Sequence, residues 1–153
     1  MATEIERKFL VATRPADLER HPSDRIEQGY VAVDAAAEVR IRRRGDAMTL
    51  TVKSKPGRTR VEEEFTIDER RFESLWELTA GRRITKTRYV IDHDGVQVEL
   101  DDYHDALAGL MTAEVEFASE AESDAFEAPA WLGQEITGDP RYANQSLAMR
   151  GRP

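Results

Sequence analysis

The chain has 153 residues, no cysteine, and 30 acidic against 22 basic side chains, for a formal charge of −8. That length suits a single domain over residues 1–153 with its own core, and the lack of cysteine excludes disulfides, thiolate metal sites and cysteine nucleophiles and points to the cytoplasm. The charge balance argues against generic nucleic-acid or membrane binding, and neither a secretory signal nor an apolar span is found.

Alternation of apolar and polar residues predicts the first strand over Glu4 to Val11, followed by a short helix from Ala16 to His21. Strands follow over Arg25 to Val33, Glu38 to Arg44, Met48 to Lys55 and Arg60 to Ile67, with Gly45-Asp46 and Pro56-Gly57 as tight turns. Asp68 caps a predicted helix running to Ala80, with Phe72, Leu75, Trp76 and Thr79 on one stripe and Gly81 as its stop. Further strands cover Arg82 to Asp92, Gln97 to Tyr103 and Thr112 to Ala118, and the turn Asp92-His93-Asp94-Gly95 joins the first two of these. Ser119 caps a third helix through Phe126, with Glu122 placed for a capping box. The reading is an α+β domain of about eight strands, enough to close a barrel.

Because successive strand side chains point to opposite faces, parity sorts each strand into two sets. Glu4, Glu6 and Lys8 oppose Ile5, Phe9 and Val11; Arg40 and Arg42 oppose Val39 and Ile41; Thr51 and Lys53 oppose Leu50 and Val52. Arg60, Glu62 and Glu64 oppose Val61, Phe65 and Ile67, and Lys86 and Arg88 oppose Tyr89 and Ile91. Glu99 and Asp101 oppose Val98 and Leu100, and Glu114 and Glu116 oppose Val115 and Phe117. A half-solvated sheet explains any one strand more simply. Two charges at adjacent same-face positions in strand after strand argue instead for a sheet curled with its apolar face outward and an ionic interior. Such an interior is tolerated when its ions pair, stay hydrated or meet ligands of both signs.

The triplet Glu4-x-Glu6-x-Lys8 sets hard oxygen donors about 7 Å apart along one strand face, which suits Mg²⁺ or Mn²⁺ bridging to phosphate. Glu62 with Glu64 and Glu114 with Glu116 add carboxylates from other strands. Arg40, Arg42, Lys53, Arg60, Lys86 and Arg88 form the complementary cationic set, guanidinium forks being suited to bidentate phosphate contacts. Arg44 and Lys55, beside turns, read as surface salt-bridge partners, Gln28 and Tyr30 share a face as polar contacts or packing, and His21, His93 and His104 read as surface residues.

The ordered set Glu4-Ile5-Glu6-Arg7-Lys8, Val39-Arg40-Ile41-Arg42, Thr51-Val52-Lys53, Glu62-Glu63-Glu64, Lys86-Thr87-Arg88, Val98-Glu99-Leu100-Asp101 and Ala113-Glu114-Val115-Glu116 resembles the CYTH, or triphosphate tunnel metalloenzyme, superfamily. The tail Thr137 to Asn144 resembles the ending of short bacterial members, where a C-terminal helix lies near the tunnel mouth. The resemblance implies an eight-stranded antiparallel closed tunnel, one or two divalent cations and a small-molecule triphosphate. It implies Glu4, Glu6 and Glu116 as ligands of one metal, with Glu62, Glu64, Glu99, Asp101 and Glu114 holding a second ion or the attacking water. Lys8, Arg40, Arg42, Lys53, Lys86 and Arg88 would grip phosphates, with Arg60 a lesser member, and Glu64, Glu114 and Lys8 would serve the chemistry.

The expected activity is hydrolysis of inorganic tripolyphosphate to pyrophosphate and phosphate. A nucleoside- or thiamine-triphosphatase, a class IV adenylate cyclase and a non-catalytic polyphosphate-binding module are the alternatives on this sequence. Whether two chains pair as a homodimer is left open.

Overall fold

Nine strands share one wholly antiparallel sheet in the order β5-β4-β3-β2-β6-β7-β8-β1-β9 in the computed structural model, which describes residues 5–54 and 61–153. They are β1 Ile5–Val11, β2 Ser23–Val33, β3 Ala37–Arg44, β4 Ala47–Ser54, β5 Glu62–Thr66, β6 Arg83–His93, β7 Val96–Tyr103, β8 Met111–Phe117 and β9 Leu132–Glu135. The helices are α1 Glu69–Trp76, α2 Glu120–Ala125 and α3 Asn144–Arg150. Glu4, Lys55, Pro56, Gly57 and Arg60 lie outside the described residues.

The eight-stranded closed barrel is therefore corrected to a nine-stranded sheet with β5 and β9 at its edges and, among the described residues, no ladder between them. Its physical basis is visible at β1, whose outer edge is occupied: Phe9 and Val11 pair with Glu135 and Leu132, and the Ile136 amide donates to the Lys8 carbonyl. The region predicted as a helix from Ala16 to His21 contains only a 3₁₀ turn at Leu18–Arg20, and α1 ends at Trp76 in a second such turn at Glu77–Thr79.

Local chemistry sets the ends of these elements. The β6–β7 hairpin turns on Asp94 and Gly95, both at positive φ, and Asp92 accepts from the Gly95 amide. Asp68 accepts from the Arg71 amide and Ser119 from the Glu122 amide, the two expected N-caps. The Glu122 carboxylate in turn accepts from the amide of Ala118.

The apolar face carries two cores. Phe9, Ile91, Val98, Leu100, Ala113, Val115 and Phe117 pack with Leu18 and Leu132, with Phe126 alongside. Ile41 packs with Ile67 and Phe72 beneath α1, where Trp76 stacks on Phe72 with ring centroids 5.3 Å apart. A third cluster joins Ile84, Tyr103, Leu107, Leu110 and Leu147, with Leu10 beside it. Leu10, Ile84 and Tyr103 share their parity with Lys8, Lys86 and Asp101, so α3 packs against the ionic side of the sheet, not on the apolar outside with α1 and α2.

Candidate active site

Paired residues in an antiparallel ladder project to the same face, so the register tests the parity argument directly. Glu6 lies opposite Glu116 and Lys8 opposite Glu114 across β1 and β8. Glu114 is in turn opposite Glu99 on β7, and Asp101 opposite Arg88 on β6. On the far half, Arg40 meets Tyr30 and Thr51, Arg42 meets Gln28, Thr51 meets Glu64 and Lys53 meets Glu62. The structure thus brings Glu6, Lys8, Arg40, Arg42, Lys53, Glu62, Glu64, Lys86, Arg88, Glu99, Asp101, Glu114 and Glu116 onto one face. Glu4 and Arg60 lie outside the described residues.

Asp101 is the hub of this face. It accepts from Lys86 Nζ at 2.8 Å, from Arg88 Nε at 2.8 Å and from Arg88 Nη2 at 2.9 Å, while Arg88 Nη1 reaches Glu99 at 2.9 Å. Lys86 is 0% exposed and Asp101 5%, so the pair is stable only because each neutralises the other. Burial opposes ionisation of Asp101, but the charges and hydrogen bonds of Lys86 and Arg88 outweigh it and hold the carboxyl at about 2. Complete burial pushes the Lys86 ammonium down against the pull of Asp101.

A second network lines the β2–β3 side. Arg42 Nε donates to Gln28 at 2.7 Å, and Gln28 Nε2 donates to the Tyr30 hydroxyl at 2.9 Å. Gln28 and Tyr30 are fully buried, a polar relay beneath the arginines. Burial lowers the Arg42 pKa, and the charges of Arg40 and Arg88 add to the effect while Glu64 opposes it. Arg88 is in turn held high, against its burial, by Asp101, Glu99 and Glu114. Glu64 on β5, Arg42 on β3, Arg88 on β6 and Glu114 on β8 are therefore in electrostatic contact across most of the sheet.

Lys8 is fixed by the segment leading into α3. Its amide donates to Thr137 Oγ1 at 2.9 Å and its ammonium to the Tyr142 carbonyl at 2.8 Å. Tyr103 Oη donates to Asn144 Oδ1 at 3.0 Å, anchoring the start of that helix.

Other side chains are engaged outside these two networks. Arg44 bonds Asp24 at 2.9 Å, the salt bridge expected of it. His21, His93 and His104 are half-buried where surface positions were expected; Phe126 packs edge-on to His93, and His104 Nε2 lies 2.8 Å from Thr87 Oγ1. A cavity of about 430 Å³ is lined by Arg25, Trp76, Arg83 and His104, away from the ionic cluster. Sequence reasoning did not single out Glu38, which shares the face through its pairing with Lys53. Its signal was the same-parity series Glu38, Arg40, Arg42, Arg44.

The donor chemistry fits a hard divalent cation. Glu6 faces Glu116 and Glu99 faces Glu114 in direct register, which sets hard oxygen donors side by side, and Arg88 supplies positive charge to the second pair. Among the described residues no three Asp, Glu or His side chains converge as ligands, and Glu4 is outside that set.

The CYTH domain model matches residues 2–151. The chain belongs to the CYTH domain family. Within that family it is 47% identical over 149 residues to an inorganic triphosphatase of Nitrosomonas europaea, covering 96% of this chain and 97% of that protein. It is 34% identical over 151 residues to an inorganic triphosphatase of Acetivibrio thermocellus, covering 96% and 94% respectively. A crystal structure of an inorganic triphosphatase superposes with a TM-score of 0.84 at 43% identity, covering 100% of this chain and 99% of that one. A Hippeastrum protein at 16% identity and a TM-score of 0.54, covering 80% of this chain and 83% of that one, shares the CYTH fold. Among the described residues no helix is long and apolar enough to cross a membrane.

Proposed function

We propose that this CYTH domain hydrolyses inorganic tripolyphosphate to pyrophosphate and orthophosphate with a divalent cation, Mg²⁺ or Mn²⁺. The observation that carries the reading is the single sheet face on which Arg40, Arg42, Lys53, Lys86 and Arg88 stand among Glu6, Glu62, Glu64, Glu99, Glu114 and Glu116. Phosphate oxygens carry negative charge that the guanidinium forks of Arg40, Arg42 and Arg88 grip, with Lys8, Lys53 and Lys86 adding point charge. Arg60 is a further candidate for that set. Gln28 orients Arg42, and Asp101 orients both Lys86 and Arg88, so these act as positioning residues.

Glu4, Glu6 and Glu116 would hold one cation, with Glu62, Glu64, Glu99 and Glu114 available for a second. When bound, the ion supplies neutralisation of phosphate charge and a lower pKa for coordinated water. Glu64, steadied by Thr51 Oγ1 at 2.9 Å, or Glu114, opposite Lys8, orients the attacking water in line with the terminal phosphate. The Lys8 ammonium, released from Tyr142, stabilises the departing pyrophosphate.

The test is a panel of tripolyphosphate, pyrophosphate, ATP and thiamine triphosphate incubated with each metal, products being identified by ³¹P NMR. Tripolyphosphate turned over fastest to equimolar pyrophosphate and phosphate is expected. Faster cleavage of an organic triphosphate would contradict the substrate assignment.

A further inference from the structure

Glu38 Oε2 is the one buried side-chain polar atom without a hydrogen-bond partner among the described residues. An unpaired buried carboxylate oxygen is costly, and such groups in native folds ask for an explanation. Glu38 is the last ionic-face residue of β3 at the strand's start, where Asp34 Oδ1 accepts from the amides of Ala36 at 2.7 Å and Ala37 at 2.9 Å and fixes the chain's entry. Along this strand the face reads Arg44, Arg42, Arg40, then Glu38, so the sign of charge reverses at its end. Same-face neighbours on a strand are about 7 Å apart, a spacing on the scale of a short phosphate chain. Glu38 lies across from Lys53, and its charge, together with burial, raises the pKa of Tyr30, which places it against the same polar lining.

We propose that Glu38 is a specificity-determining residue that ends the cationic track and limits the length of linear polyphosphate accepted. This inference rests on the triphosphatase reading above. Past Arg40 a phosphate meets a shielded carboxylate oxygen that accepts no hydrogen bond, with Lys53 as the facing cation, so an anionic group added beyond that pair is penalised while a three-phosphate chain ends at Lys53. Building repulsion against the wrong ligand is a recognised route to selectivity.

The experiment compares wild type, Glu38→Gln and Glu38→Asp on tripolyphosphate and linear tetrapolyphosphate, with thermal melts confirming that each is folded. Wild type prefers tripolyphosphate. In Glu38→Gln the ratio of kcat/KM for tripolyphosphate over tetrapolyphosphate falls by roughly tenfold or more, as expected for removing a like-charge contact, while Glu38→Asp, which keeps the charge, retains most of the preference. An unchanged ratio in Glu38→Gln, an equal loss on both substrates, or a wild type that cleaves both equally well overturns the inference and leaves the triphosphatase reading standing. A wild type inert toward both substrates defeats that reading, and the role of Glu38 with it.

Discussion

Arg88 grips Asp101 with two parallel hydrogen bonds of 2.8 and 2.9 Å while Lys86 approaches the same carboxylate from the neighbouring position at 2.8 Å. One carboxylate therefore holds two cations on the ionic face. Removing it leaves Lys86 buried and uncompensated. Asp101→Asn is expected to lose about 3 kcal/mol of stability, the lower end of the range for breaking a buried pair. Denaturant unfolding checks this, and a loss below about 1 kcal/mol would mean the network is not structural.

The same residue gives a pH prediction. Folded Asp101 titrates at about 2 against 3.8 for the free side chain, so the unfolded chain binds the extra proton between those values. Its contribution to stability is present above about pH 3.8 and is lost as the pH falls through about 2. Acid unfolding of wild type and Asp101→Asn should therefore converge toward low pH. A difference between them that stays constant from pH 5 to pH 2 would contradict the assigned direction.

Gly29 on β2 packs beneath Thr79, where an added Cβ would lie 2.6 Å from the Thr79 Cβ. Thr79 is itself buried and donates to the Trp76 carbonyl at 2.7 Å, so it cannot swing away cheaply. Gly29→Ala is expected to cost about 1–3 kcal/mol through overpacking. A thermal melt within a degree of wild type would show that the cover over β2 yields freely.

Much of this site was legible from alternation alone. Glu6, Lys8, Arg40, Arg42, Lys86, Arg88, Glu114 and Glu116 share a face because strand geometry fixes side-chain direction two residues at a time, and no distant partner is needed to know it. The open sheet was not legible. β9 is four residues with one large apolar side chain, Leu132, and it forms because Gly133 permits close approach: a Cβ there would sit 3.2 Å from Ala12 Cβ and 3.3 Å from the Leu10 carbonyl. That contact joins positions more than a hundred residues apart, so no local pattern signals it. The ion pairs of Asp101 were hidden for a similar reason, since which cations its carboxylate meets depends on side chains from another strand.

The carboxylate face yields a direct loss-of-function prediction. Glu6→Ala and Glu116→Ala should each reduce tripolyphosphate turnover at least a hundredfold, consistent with loss of a metal ligand, while both remain folded at 25 °C. Glu6→Ala removes one of two carboxylates in direct register, so its folded state should not suffer from lost packing. Activity above a tenth of wild type in either variant would remove that residue from the metal-binding set.

The most direct measurement is the initial rate of phosphate release from tripolyphosphate by the wild-type protein under Mg²⁺, under Mn²⁺ and after chelation with EDTA. Rapid release with at least one metal and its loss on chelation is the predicted result. Release that continues undiminished in EDTA, or none with either ion, would contradict a metal-assisted triphosphatase built on this sheet face.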